Sequence, residues 1–145
     1  LTGQPELVTN GDFATDSDWT LENTWTIENG VANGNGATGA SEELGQNLSA
    51  SGIVISDKVK LSFEIKNYVS GSVQVIGVTP TSSKSANGVY EYIGTITSLN
   101  FRMRGAAFIG SIDNVSVKLA RAEEVEAVKC LADWIHTTAL QDLNN

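Results

Sequence analysis

The stretch Phe108–Leu119, F-I-G-S-I-D-N-V-S-V-K-L, constrains the fold more than any other part of the chain. Its apolar positions are even at Phe108 and Ile112, with Gly110 between them, and odd from Val115 through Val117 to Leu119. Side chains of a strand alternate between two faces, so a one-residue change of phase requires an irregularity in the strand. The change falls at Asp113–Asn114, which predicts a bulge or kink there. A carboxylate at a forced kink also needs a role.

Other segments alternate with the same period. In Val59–Lys66 the residues Val59, Leu61, Phe63 and Ile65 face one way, and Lys60, Ser62, Glu64 and Lys66 the other, giving a core face and a water face. Ser72–Thr79 reads as a second long strand whose apolar phase slips between Val75 and Ile76. Val89–Ile96 is another strand, and Leu99–Met103 places Leu99, Phe101 and Met103 inward with Asn100, Arg102 and Arg104 outward. Upstream, Glu6–Val8 is a short strand before the turn Asn10-Gly11-Asp12. Trp19 with Leu21, and Trp25 with Ile27, form two brief alternating runs. Asn29-Gly30 is a hairpin signal leading to Val31. Residues 33–41, rich in glycine and small side chains, are expected as loop or irregular edge strand, and Leu44–Leu48 as a returning strand. Pro80–Asn87 is a polar loop. Many short strands separated by turns predict an all-β antiparallel sandwich or jelly roll.

After Leu119 the character changes. Residues 120–145 contain neither Gly nor Pro, and Val125, Val128, Leu131, Ile135 and Leu143 fall on one helical stripe. Glu123, Glu124 and Glu126 occupy the first turns, where the helix dipole favours acids. A single C-terminal α-helix is predicted, about 39 Å long at 1.5 Å per residue. The outward strand faces offer it no apolar dock, so its Trp134, Ile135, Leu140 and Leu143 are expected to be buried between molecules. The domains are then 1–119, the β-module, and 120–145, a helix for attachment or assembly, with homo-oligomers expected.

At 145 residues the chain can bury one genuine core. Its net charge is −8, and no Lys or Arg precedes Lys58. Such a surface repels phosphate backbones, which argues against nucleic acid as a partner. No apolar run approaches the roughly 18 residues of a membrane span. Leu1–Pro5 has neither the basic start nor the apolar core of a signal peptide, and the first residue is Leu, so a matured product or a piece of something longer is expected. Cys130 is alone and forms no intrachain disulfide. Catalytic signatures are lacking: neither G-x-S-x-G nor H-E-x-x-H occurs, and the single His136 lies on the expected helix. The Glu42-Glu43 pair sits in an acidic stretch read as flexible, without the environment that raises the pKa of a general acid. The expectation is a protein that is not an enzyme.

The closing stretch F-I-G-S-I-D-N-V-S-V-K-L and the opening E-L-V-T-N-G-D-F together resemble the first and last strands of jelly-roll carbohydrate-binding modules of families four, nine and twenty-two. Similar domains occur in bacteriophage virion proteins. The resemblance covers residues 5–119 and implies a two-sheet antiparallel jelly roll. It implies a structural Ca2+ where the opening turn meets the last strand. Asn10, Asp12 and Asp113 match the liganding positions, while Ala14 and Asn114 stand where the family commonly has acids. It also implies glycan binding, for which Tyr90, Tyr92, Arg102 and Arg104 are the groove candidates, with Tyr68 and Asn100 nearby on the strands. Trp19 and Trp25 match positions that pack inside such modules. The triplets Asn47-Leu48-Ser49 and Asn114-Val115-Ser116 have the N-glycosylation pattern but carry little weight, since such triplets arise by chance.

Two binding classes follow. The first is a module of a virion structural protein, in a capsid, neck or tail, joined to other subunits by the helix. The second is a carbohydrate-binding module cut from a secreted glycoside hydrolase, which usually carries a Pro/Ser/Thr linker that this chain lacks. Either places the protein in a virion or outside the cell.

Overall fold

The computed structural model describes residues 4–22, 25–36 and 42–120. Eight strands occur among them: β1 (Thr20–Leu21), β2 (Thr26–Glu28), β3 (Val31–Asn35), β4 (Glu43–Asn47), β5 (Lys58–Ile76), β6 (Val78–Thr79), β7 (Gly88–Ile96) and β8 (Asn100–Leu119). Every pairing is antiparallel. Residues 121–145, and with them the predicted C-terminal helix, lie outside the described residues.

Strands β5 and β8, of 19 and 20 residues, form the spine. Held straight they would run about 65 Å at 3.4 Å per residue. A domain of this size is only about 35 Å across, so both have to bend. Their mutual register breaks where they do so. Ser62 pairs with Ser116 and Glu64 with Asp113, leaving Phe63 opposite two residues, Asn114 and Val115. That is a β-bulge at the change of phase read in the sequence, and it keeps both Ile112 and Val115 inward. Asn114 supplies the left-handed turn, at φ 51°, a conformation asparagine accepts more readily than most side chains.

The larger corner lies between Lys66 and Ser72, opposite Ala106–Ile109. Asn67, Gly71 and Ala107 all take positive φ there, at 52°, 80° and 51°. A Cβ on Gly71 would run into the carbonyl of Ala107 and sit 2.6 Å from that of Ala106. Val59–Lys66 and Ser72–Thr79, read as two strands in the sequence, are therefore joined, as far as Ile76, into one strand taken round a corner. The phase slip after Val75 ends it, and the chain resumes past Gly77 as the short β6.

This spine places the other strands. On one edge of β8, β4 pairs with 100–104 and β3 with 109–112. The N-terminal segment continues that edge: Glu6 bridges Lys118, and Leu7 N donates to Val117 O at 2.9 Å. On the far edge of β5, β7 pairs with 58–65 and β6 closes its end. The result is one curled, hydrogen-bonded antiparallel sheet, consistent with the all-β sandwich expected. The inward side chains of its parts share a single core. Phe63, Ile65, Phe101, Val115 and Val117 are all buried, and Trp19 and Trp25 pack inside as expected. Each large core side chain contributes roughly 1.5–3 kcal/mol by leaving water.

Candidate functional site

The opening turn and the closing strand do meet. Val115 N donates to Gly11 O at 2.9 Å, and a Cβ on Gly11 would strike the Val115 carbonyl, so the close approach needs a glycine. A shallow recess here is lined by Glu6, Asn10, Asp12, Asn114 and Ser116. The three side chains expected to hold calcium have other partners nearby. Asn10 ties its own loop, donating from Nδ2 to the carbonyls of Thr15 and Ser17 and accepting from Thr15 N. Asp12 Oδ1 accepts from Ala14 N. Asp113, buried on β8, accepts from Lys66 Nζ at 2.8 Å and from Asn114 N at 2.7 Å. The bond to Asp113, and then the attraction of its charge, raises the Lys66 ammonium above the usual lysine range. A hard cation takes six to eight oxygens, so calcium here would draw on backbone carbonyls of the turn besides these side chains. Among the described residues no group of three or more His, Cys, Asp or Glu side chains is placed to hold a metal.

The four glycan candidates are separated by the corner in the spine. Tyr90 and Tyr92 lie opposite Phe63 and Leu61 on the first half of β5. Arg104 and Arg102 lie opposite Gln74 and Ile76 on its second half. The tyrosines also turn away from the outward face that the arginines share. Paired with buried Phe63 and Leu61, they point to the core side, and the Phe63 and Tyr90 rings are 5.3 Å apart. Tyr90 Oη donates to Ala86 O at 2.6 Å, and Lys84 Nζ lies 5.3 Å above its ring. The Tyr92 hydroxyl is buried without a hydrogen-bond partner. Burial pushes its pKa up, against a smaller opposing effect of the neighbouring Thr81 hydroxyl, which itself donates to Val75 O at 2.9 Å. Tyr68 closes the corner, its hydroxyl donating to Gly71 O.

Arg102 and Arg104 do face outward, and there they meet Glu43. The Glu42-Glu43 pair, read as flexible, is 5% and 8% exposed at the head of β4. Glu43 Oε2 receives Arg104 Nε at 3.0 Å and Nη2 at 2.9 Å, while Oε1 receives Arg102 Nη1 at a long 3.4 Å. Arg102 Nε has one further contact, 3.3 Å to Asn100 O. A recess of about 190 Å³ opens beside them, lined by Thr20, Glu22, Glu43, Gly45, Asn100 and Arg102. Glu22 Oε2 is buried in it without a hydrogen-bond partner. The recess thus combines an under-used guanidinium donor with an unfilled carboxylate acceptor, and its two acids balance Arg102 and Arg104.

Sequence reasoning found the arginines and missed Glu22, Glu43 and Thr20. These become neighbours of Arg102 only through the β1–β4 and β4–β8 ladders. A second, larger groove of about 490 Å³ runs beside β7, walled by Pro80, Thr81, Ser82 and Lys84. Scanned against protein-family models the sequence matches none, and a search of curated proteins finds no match.

Proposed function

We propose that the chain is a non-catalytic glycan-recognition module of jelly-roll type, of the kind carried by bacteriophage virion proteins, with its sugar seat in the recess around Arg102. The observation that carries this reading is the neutral set of donors and acceptors there. A sugar hydroxyl both gives and accepts a hydrogen bond, so it satisfies Glu22 Oε2 and the Arg102 guanidinium together. An unfilled buried acceptor otherwise costs about 1–3 kcal/mol. The charge balance disfavours free ions as ligands, and Asn100 and Thr20 add polar contacts at the rim.

Chemical-shift mapping of the labelled chain against neutral oligosaccharides tests the seat. Shifts confined to Thr20, Glu22, Glu43 and Arg102, lost in Arg102→Ala, support it. No shift at millimolar sugar makes the module purely structural. Residues 120–145 serve attachment to other virion subunits or to further copies of this chain. Light scattering and melting of the full chain and of a 1–119 truncation check this role, and monomers in both cases together with lost folding stability in the truncation would end it.

A further inference from the structure

Strand β7 presents a free edge that the glycan reading does not use. Ile96 N donates to Asp57 O at 2.8 Å, and Ser56 N donates to Ile96 O at 2.9 Å, so the backbone of Ile96 points toward the β5 side. Thr97 N donates the opposite way, to Gly77 O at 2.8 Å. The β5–β7 register runs without a break from Ile65–Gly88 to Lys58–Thr95, so the alternation holds along the strand. Tyr90 and Tyr92 therefore spend their amides and carbonyls on β5, whereas those of Val89, Glu91 and Ile93 point away from it. β6 reaches only Thr95 and Ile96. Among the described residues no strand pairs with the outer edge of β7 from Gly88 to Gly94.

Natural edges are blunted by charge, proline or bulges. This one carries Glu91 alone, beside Val89, which is 70% exposed, and a half-buried Ile93. The 490 Å³ groove lies along these residues, with Pro80–Lys84 as its far wall. Its floor is not a sugar platform, since Tyr90 is taken up by Phe63 and Lys84 and the Tyr92 hydroxyl is buried. What the groove does offer is backbone donors and acceptors repeating about every 7 Å over about 14 Å, the spacing of an extended polypeptide.

We propose that the edge Val89–Ile93 docks an extended strand of another protein by β-sheet addition, with a basic residue of that strand against Glu91. Charge decides the partner: the chain carries −8, and Glu91 stands in the middle of the edge, its one ion pair among the described residues an exposed contact to Lys60 at 3.4 Å. A second copy is disfavoured, because the two-fold register that uses all three residues sets Glu91 against its own image. Main-chain hydrogen bonds supply affinity, and the exposed Val89 and half-buried Ile93 supply side-chain contact.

The test uses the labelled full chain and the capped peptide acetyl-Thr-Val-Thr-Lys-Thr-Val-Thr-amide at up to millimolar concentration. The expected result is shifts centred on the amides of Val89, Glu91 and Ile93. N-methylating alternate peptide amides, which removes the donors facing the edge, should weaken binding at least about tenfold. Replacing the peptide lysine by glutamate should weaken it too, and Glu91→Lys, with its spectrum still dispersed, should reverse that preference. Unperturbed edge amides, or equal binding of the N-methylated peptide, would overturn the proposal. Shifts at the edge with oligosaccharide and none with peptide would also overturn it and assign the groove to glycan.

Discussion

Substituting Gly71 by alanine probes the corner on which the fold depends. Two costs are expected. The first is conformational: at φ 80° a Cβ is disfavoured by about 1–2 kcal/mol, offset in part by the stiffer unfolded chain. The second is steric, because the new methyl lands on the backbone of Ala106 and Ala107, which cannot rotate away as a side chain would. Forcing a well-packed site apart typically costs a further 1–3 kcal/mol or more. Gly30 supplies the control: its φ is 76°, and a Cβ there meets nothing within 4 Å. Gly30→Ala should therefore lose about 1 kcal/mol and Gly71→Ala at least about 3 kcal/mol. At roughly 4 °C per kcal/mol, the two melting temperatures should fall by about 4 °C and at least 12 °C. Urea unfolding measures the same difference at constant temperature. Equal losses in the two variants would mean that β5 and β8 do not turn together at this point.

Four further outcomes follow from the same contacts. Tyr92→Phe removes a buried hydroxyl that lacks a partner, and should raise stability at neutral pH by roughly 1 kcal/mol in urea unfolding; a loss would reveal a bond to Thr81. Tyr92 and Lys66 both have raised pKa values in the fold, so their contribution is whole below about pH 10 and is lost as pH climbs through the raised values. Alkaline unfolding should thus be shallower in the double variant Tyr92→Phe, Lys66→Met than in wild type. At the bulge, Asn114→Gly should change stability by less than about 1 kcal/mol, and deleting Asn114 should leave a regular ladder with Val115 opposite Phe63 and Val117 opposite Leu61, both still inward, so that thermal melting stays cooperative. Calcium at Asp113 would compete with Lys66, so thermal scans in millimolar calcium and in chelator should separate more in Lys66→Gln than in wild type; coincident scans in both proteins would remove calcium from the reading.

The bulge was legible because two well-populated apolar phases meet at Asp113–Asn114, and only an extra residue reconciles them. The core was legible at Phe63, Phe101, Trp19 and Trp25 for the same reason, strict alternation with large side chains. The corner was not. Asn67, Val69 and Ser70 carry no phase of their own, so the sequence there reads equally well as a turn between two strands. Tyr90 and Tyr92 misled because both faces of β7 hold apolar residues, Val89 and Ile93 on one and the tyrosines on the other. Pairing with Phe63, not any local pattern, decides which set turns in. Likewise Glu43 meets Arg102 and Arg104 across a ladder whose register no short motif announces.

The position of β8 at the centre of the sheet has a consequence for how the chain comes off the ribosome. Before residue 100 is synthesised, only the β1–β4, β2–β3 and β5–β7–β6 pairings can form, and assemblies of two or three strands are marginal on their own. Strands β3, β4 and β5 and the N-terminal segment all wait for one late arrival. Folding is then non-local and slow, with nearly all of its closure cost met in the final step. A chain stalled or cut near residue 100 would leave the edges of β4 and β5 open to other chains, which makes this the stage of synthesis most exposed to aggregation and most dependent on chaperones.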